Sequence, residues 1–324
     1  MNSPVKVTLL AGGVGGARMA EGFQSLADVA LTVIGNVADD EAFHGLWVSP
    51  DIDTMTYTLA GVIDRAQGWG VADEGDRALS TLNRLGADTW MFLGDRDFGL
   101  HIYRTERLRR GDRPSEIARD VAARFGVRAE IVLPTDDRVQ TRLETAAGWL
   151  SFQEYFVRER CGPRVSALSY EGIAAAAPTP EALTAIAEAD LLVIAPSNPL
   201  LSIAPILGIP GIGPALQAAR APILGVSPLI GGKAVKGPAD RLMTSLGHRP
   251  DALGVAEIYR DLLDMFFIDT ADAALQDGIA DLGITPLVAD ILIPDAPAKA
   301  RLAREILDAA VAEPALETGA GPTR

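Results

Sequence analysis

The sequence predicts an α/β fold: a three-layer, Rossmann-like arrangement around a mostly parallel sheet, with a small helical insertion. Short apolar runs that read as buried strands alternate with helix-like amphipathic stretches through most of the 324 residues. The first run, Val5-Lys6-Val7-Thr8-Leu9-Leu10, opens into Ala11-Gly12-Gly13-Val14-Gly15-Gly16 before a helical pattern begins at Ala17. Charged, Gly-rich or Pro-rich turns then follow one strand after another, at the carboxyl edge where open α/β sheets hold ligands. The expected layout is a core over residues 1–95 and 127–312, the insertion over 96–126 and a disordered tail over 313–324.

Composition narrows the function classes. A chain that is 48% hydrophobic and 22% charged is globular and long enough for a sizeable core. No early run has the make-up of a leader and none reaches membrane-spanning length, so a cytoplasmic small-molecule protein without a membrane partner is expected. A formal charge of -14 argues against a nucleic-acid partner, because a phosphate backbone attracts basic faces. Cys161 is the single cysteine, which excludes an internal disulfide and a multi-cysteine metal site; it reads as packing rather than as a nucleophile.

The glycine turn lets backbone N–H groups converge on an anion at the positive end of a helix dipole. Neither familiar phosphate motif fits. The Walker form needs Gly-Lys-Ser/Thr, and Gly16 is followed by Ala17 and Arg18. The dinucleotide form started at Gly13 meets Arg18 where Gly or Ala is required. Two readings stay open, a phosphate cradle and a plain tight connection.

The second strand, Leu31–Ile34, ends in Gly35-Asn36-Val37-Ala38-Asp39-Asp40-Glu41, and Ser49-Pro50-Asp51-Ile52-Asp53-Thr54 precedes the next helical pattern. Asp53 or Thr54 alone reads as a helix cap. Together, Asp39, Asp40, Glu41, Asp51 and Asp53 put five acids within 15 positions, on turns that a βαβ unit brings to the glycine loop's edge. Crowded carboxylates raise one another's pKa unless a cation offsets them, and hard oxygen ligands beside a phosphate suit Mg²⁺.

Further along, a helix is expected over Asp73–Leu85 and a strand at Trp90-Met91-Phe92-Leu93, followed by Gly94-Asp95-Arg96-Asp97. Phe98–Phe125 reads as two helical pieces with Pro114 at a helix start, its arginines Arg104, Arg107, Arg109, Arg110 and Arg113 forming a solvated face from which one or two could reach an anionic ligand. Strands are expected at Ala129–Leu133, Val139–Thr145 and Trp149–Phe152, a helix over Gln153–Arg160, and polar contacts from Gln153 and Glu154. The α/β rhythm resumes with a helix at Pro180–Ala187 and the strand Leu191–Ile194, which runs into Ala195-Pro196-Ser197-Asn198-Pro199. A strand at Pro222–Val226 opens into Ser227-Pro228-Leu229-Ile230-Gly231-Gly232-Lys233-Ala234-Val235-Lys236, a second Gly-rich loop with anion-site features. Apolar runs at Met265–Ile268 and Thr285–Val288 and a last helix near Ala298–Ala312 complete the sheet and its cover.

The ordered set of turns, from Leu10–Arg18 through Asn36–Asp40, Ser49–Thr54, Leu93–Asp97 and Ala195–Pro199 to Ser227–Lys233, resembles the 2-phospho-L-lactate transferase family of coenzyme F420 biosynthesis over nearly the whole chain. The resemblance implies a transferase that takes a guanosine-diphosphate-activated three-carbon acid and the deazaflavin acceptor Fo. It would release GMP and leave F420-0 or dehydro-F420-0. It further implies Mg²⁺ at Asp39, Asp40 and Asp53, and catalytic roles for Asp53, Asp51 and Arg96. Substrate contacts would come from Gly12, Gly13, Val14, Gly15, Gly16, Arg18, Asn36, Asp51, Asp53, Thr54, Arg96, Ser197, Asn198, Ser227, Gly231, Gly232 and Lys233. Fo falls near Asp51, Asp53 and Arg96, and guanosine near Asn36, Ser197, Asn198 and the Ser227–Lys233 loop. A homodimer is common in the family, and hand-over of the donor from the guanylyltransferase that makes it is a further expectation. Gly-Gly-Val-Gly-Gly-Ala-Arg resembles the bacterial branch, in which phospholactate, phosphoenolpyruvate and phosphoglycerate forms of the donor all stay open. A related group of nucleotide-sugar-binding gluconeogenesis or morphogenesis factors shares the glycine loop and the Asp-Asp turn, but normally lacks Ser-Pro-Asp-x-Asp-Thr and Leu-Gly-Asp-Arg-Asp.

Overall fold

A computed structural model describes residues 3–312; the expected tail over 313–324 lies outside the described residues. Seven strands build the central sheet: β1 (Val5–Ala11), β2 (Val29–Gly35), β3 (Glu130–Val132), β4 (Leu191–Ile194), β5 (Ile223–Val226), β6 (Met265–Asp269) and β7 (Thr285–Ala289). Their spatial order is β7-β6-β5-β4-β1-β2-β3, and every pair is parallel. Read from β3, this is the doubly wound order 3-2-1-4-5-6 with a seventh strand added. The order reverses between β1 and β4, so the crevice at their carboxyl ends is the expected ligand position.

The strands are apolar on both faces because both are covered. On one face Leu10, Ile34, Ile194, Phe266 and Ile268 pack with Ile186, Leu216 and Leu242 of covering helices. On the other, Leu9, Val33, Val193 and Phe267 pack with Met19 and Phe23 of α1 (Gly13–Ser25) and Leu302 and Ile306 of the C-terminal helix (Ala296–Ala312). Successive residues of one strand thus feed opposite cores, giving the three layers.

Between β2 and β3 the chain forms a hairpin (Glu41–Phe43 with Leu46–Val48) and then α2 (Pro50–Leu59), α3 (Arg77–Arg84), α4 (Asp95–Arg109) and α5 (Pro114–Arg124). The strand expected at Trp90–Leu93 is absent: Leu93 is buried with Phe43, Val48, Leu79 and Phe98, and the Trp90 ring meets Phe43 edge-on at 5.4 Å. Those apolar residues fasten α3 and α4 to the hairpin instead of extending the sheet. The helical stretch therefore runs from Pro50 to Arg124, longer than the 96–126 expected. A three-stranded antiparallel sheet of Gly148–Ser151, Gln140–Thr145 and Val165–Glu171 follows β3, and the helix expected over Gln153–Arg160 is one π-helical turn, Glu154–Arg158.

Candidate active site

The glycine loop is fixed by close packing across the switch point. Helix α1 begins at Gly13, four residues before the expected Ala17, because the low helix propensity of glycine hides its first turn, Gly13-Val14-Gly15-Gly16. A Cβ on Gly15 would lie 2.3 Å from the Pro196 carbonyl oxygen, and one on Gly16 2.8 Å from Ser197 Oγ. Gly13 has φ +61° and open space around its Cβ position, so its requirement is conformational. Ser197 Oγ accepts from the Gly12 N–H at 3.2 Å and donates to the Gly12 carbonyl at 2.8 Å. The loops after β1 and β4 are thereby locked together, and Ser197, expected near guanosine, has its hydroxyl engaged in that lock. Asn198 Oδ1 accepts from the Leu200 and Leu201 N–H groups, capping the turn that follows. Val14 and Arg18 line a small cavity beside the same first turn.

Asp51 stands at the mouth of this loop. Its Oδ2 accepts from Asn36 Nδ2 at 3.0 Å, and a Cβ on Gly12 would come within 2.5 Å of it. Asn36 is wholly buried, and its Oδ1 accepts from the Ala38 N–H at 3.0 Å, so its amide ties the end of β2 to Asp51. Burial raises the Asp51 pKa to about 6, against the lowering effect of the Asn36 amide. Asp39 is raised well above the carboxylate range by burial and by the charges of Asp51 and Asp40. Asp40 is pushed up to about 8 by burial, although Ser49 Oγ (2.6 Å) and Trp47 Nε1 (3.2 Å) donate to its Oδ2. Asp39 Oδ1 and Asp40 Oδ1 are both buried without a hydrogen-bond partner.

The Asp39–Asp40 backbone is held from the small antiparallel sheet. Gln153 Nε2 donates to the Asp39 carbonyl at 3.2 Å, Gln140 Nε2 to the Asp40 carbonyl at 3.1 Å, and the Thr141 N–H to the Ala38 carbonyl at 2.7 Å. Gln153 carries the polar contact expected of it. Gln140 and Thr141 had no sequence signal beyond lying on a strand.

Asp53, whose charge also acts on Asp40, has a cation as its partner. Both guanidinium nitrogens of the buried Arg104 donate to its two oxygens, one of them at 3.1 Å, and His101 Nδ1 stands 3.8 Å away. Arg104 is therefore no part of a solvated face, as its place in an arginine-rich stretch suggested. Burial lowers the His101 pKa to about 4, leaving the ring neutral beside this pair. Among the described residues no three His, Cys, Asp or Glu side chains form a group that could hold a metal ion. The trio Asp39, Asp40 and Asp53 is thus not assembled as a metal cluster among the described residues, and Asp53 is held by Arg104.

Other expected contacts lie elsewhere. Arg96 is exposed at the start of α4, where its Nη1 donates to the Ala72 carbonyl at 2.7 Å; the neighbouring Asp97 takes the Tyr57 hydroxyl at 2.8 Å. Thr54 is buried within α2. Ser227 Oγ closes a local turn on Leu229. Gly231 (φ +56°) and Gly232 (φ +72°) form the two-residue turn of a hairpin, which requires glycine-like backbones at both positions. The Gly231 N–H donates to Asp272 Oδ2 at 2.9 Å, and the Lys233 side chain is 83% exposed, 3.8 Å from Asp240. This segment does not form an open nest of free N–H groups.

These observations define a doubly wound α/β protein with a glycine loop, a Pro-Ser-Asn turn and a buried acidic wall gathered at one switch point. The chain belongs to the 2-phospho-L-lactate transferase CofD family, whose model matches residues 7–292. It is 39% identical over 310 residues to a protein of Streptomyces coelicolor named phosphoenolpyruvate transferase, covering 94% of this chain and 97% of that one. A phosphoenolpyruvate transferase of Mycobacterium tuberculosis is 37% identical over 312 residues, covering 88% and 94%. Among solved structures, a Bacillus halodurans protein described as a member of the UPF0052 family superposes with a TM-score of 0.64 at 16% identity, covering 95% of this chain and 99% of its own, a likeness of fold. Among the described residues no helix is long and apolar enough to cross a membrane.

Proposed function

We propose that the chain transfers a phosphorylated three-carbon acid from its guanosine-diphosphate-activated donor to the deazaflavin Fo, releasing GMP. A hydroxyl of Fo attacks the phosphorus that carries the acid; the new P–O bond forms as the bond to GMP breaks, and the hydroxyl proton passes to a carboxylate. The names of the actinobacterial relatives favour phosphoenolpyruvate as the acid, which would give dehydro-F420-0.

The single observation that carries this reading is the pair of unpartnered buried carboxylate oxygens on the adjacent Asp39 and Asp40, of which Asp39 feels the charge of Asp51 at the glycine loop. Buried carboxylate oxygens without a partner are costly unless a cation joins them, and the Arg104 charge that reaches Asp40 is already engaged by Asp53. One or two carboxylates completed by phosphate oxygens is the ligand set Mg²⁺ accepts, so Asp39 and Asp40 fit the ion, and Asp53, paired with Arg104, does not. Bound there, Mg²⁺ would supply charge neutralisation for the donor's diphosphate. The glycine loop contributes the N-terminal dipole of α1 to the same phosphates. Asp51, with a pKa near 6, is matched to accept a proton near neutral pH.

The test is an incubation of purified protein with Fo, Mg²⁺ and each of the guanylylated phospholactate, phosphoenolpyruvate and phosphoglycerate donors, with products separated by chromatography. GMP and an F420-type product should appear together, fastest with the phosphoenolpyruvate donor. Absence of GMP with all three, alongside tight binding of a UDP-sugar, would overturn the reading.

A further inference from the structure

The second Gly-rich segment carries two lysines, and they face different ways. Lys233 points to solvent beside Asp240. Lys236 reaches the loop that leads from α2 towards α3, where its Nζ donates to the Gln67 carbonyl. A Cβ on Gly68 would lie 2.7 Å from Lys236 Nζ and 3.2 Å from Val14 Cγ1, so the ammonium arrives next to the first turn of α1. Val14, Gly68 and Arg18 line one cavity of about 60 Å³ there, together with Glu21, Arg65 and Lys299; Lys236 is not among its lining residues and adjoins it through Gly68. Glu21 is engaged by Arg65 at 2.7 Å and by Lys299 at 2.6 Å. That leaves Arg18 and Lys236 as two cations without a carboxylate partner among the described residues. Burial lowers the Lys236 pKa, and the like charge of Arg18 acts in the same direction.

We propose that Lys236, together with Arg18, forms a two-cation seat for an anionic group at the acid end of the donor, and that Lys236 is the cation the second Gly-rich segment supplies. The inference rests on the transferase reading for the identity of the ligand, but not for the existence of the seat. The cavity is the size of one carboxylate or phosphoryl group and too small for a nucleoside. Its place beside the first turn of α1 adjoins the glycine loop without coinciding with the acidic wall. An ammonium has three donors, and the Gln67 carbonyl takes one, so two remain for an incoming anion. Contact with Gln67 also ties the 64–70 segment over the seat, and a purely structural strap is the alternative that the test must separate.

Lys236→Gln separates them, because the amide can still donate to the Gln67 carbonyl but carries no charge; Lys236→Arg keeps the charge. Steady-state kinetics with donor and Fo varied in turn, and calorimetry with GDP and with phosphoenolpyruvate as probes, give the readouts. The seat predicts that Lys236→Gln raises the donor KM roughly tenfold to a hundredfold, leaves the Fo KM unchanged and weakens the phosphoenolpyruvate probe, with Lys236→Arg recovering most of the loss. Weakening of the phosphoenolpyruvate probe alone supports the seat at the acid end, and weakening of GDP, alone or as well, overturns that placement. Lys236→Gln behaving as wild type, or raising both KM values equally while residues 64–70 become sensitive to protease, overturns the proposal. If the wild type turns over no donor yet Lys236→Gln loses a probe, the transferase reading fails and the seat stands.

Discussion

Arg104 of α4 grips both carboxylate oxygens of Asp53 of α2, in a place where neither side chain is more than 7% exposed. The pair gives Asp53 its own counter-charge, and both charges also act on Asp40. Asp53 is neutralised inside the helical stretch, and Asp39 and Asp51 are left to face each other at the crevice.

Loss of Arg104 leaves Asp53 as a buried charge without a partner. Arg104→Met is expected to lower unfolding free energy by about 3–5 kcal/mol in chemical denaturation. Arg110→Met, at an exposed pair with Glu106, should change it by no more than about 0.5 kcal/mol. Equal effects would return Arg104 to the solvated face.

Glycine positions in the first loop differ in what they require. Gly15→Ala drives a methyl into the Pro196 carbonyl and should both destabilise the protein and lower donor affinity, since the backbone at Pro196 has no flexible side chain to yield. Gly13→Ala meets open space and bears only the left-handed strain, about 1 kcal/mol. Thermal melts and donor KM values for the two variants check the order.

The pH dependence of stability follows from the raised acids. Asp40, with a folded pKa of about 8, and Asp51, of about 6, hold protons in the folded state that the unfolded chain has released, so stability falls as pH rises from about 4 through these values. His101 has the opposite sign: its pKa of about 4 lies below the unfolded value, and it adds stability as pH rises from 4 to about 6.5. The metal-free protein should therefore lose stability most plainly between pH 6.5 and 8. Asp40→Asn should flatten that fall, and Mg²⁺ should raise the melting temperature more at pH 8 than at pH 5. A metal-free melting temperature that climbs from pH 6.5 to 8 would contradict the assignment.

Asp51→Asn keeps the shape of the side chain and removes its base. The expected result is a fall in kcat of about 10²–10⁴ with stability unchanged or higher, and loss of the acid limb near pH 6 from the kcat profile. A variant that unfolds while its folded fraction keeps full activity would make Asp51 a structural group held by Asn36.

The sheet was legible because buried parallel strands are short apolar runs, and the glycine loop because it interrupts one of them at a helix start. Trp90–Leu93 misled because an apolar run of four also suits a helix-to-hairpin contact, and periodicity over so short a stretch does not separate the two. The acidic turns could be placed at one edge from chain order alone. Which acid was neutralised could not, since Arg104 lies 51 residues from Asp53 and looked like one of several surface arginines. Gln140 and Gln153, which hold the Asp39–Asp40 backbone, come from a sheet whose docking on the core has no local sequence signal. In the same way, Gly231 and Gly232 read as an anion loop until their positive φ values placed them in a hairpin turn.

The transfer itself is tested most directly by following phosphorus. In a ³¹P NMR time course with purified protein, Mg²⁺ and the guanylylated phosphoenolpyruvate donor, the account predicts that the two donor phosphorus signals part only when Fo is added. One should appear in GMP and the other in a phosphodiester of the deazaflavin, in equal amounts. A donor that stays intact with Fo present, or that breaks down equally fast without it and leaves no deazaflavin phosphodiester, would contradict the account.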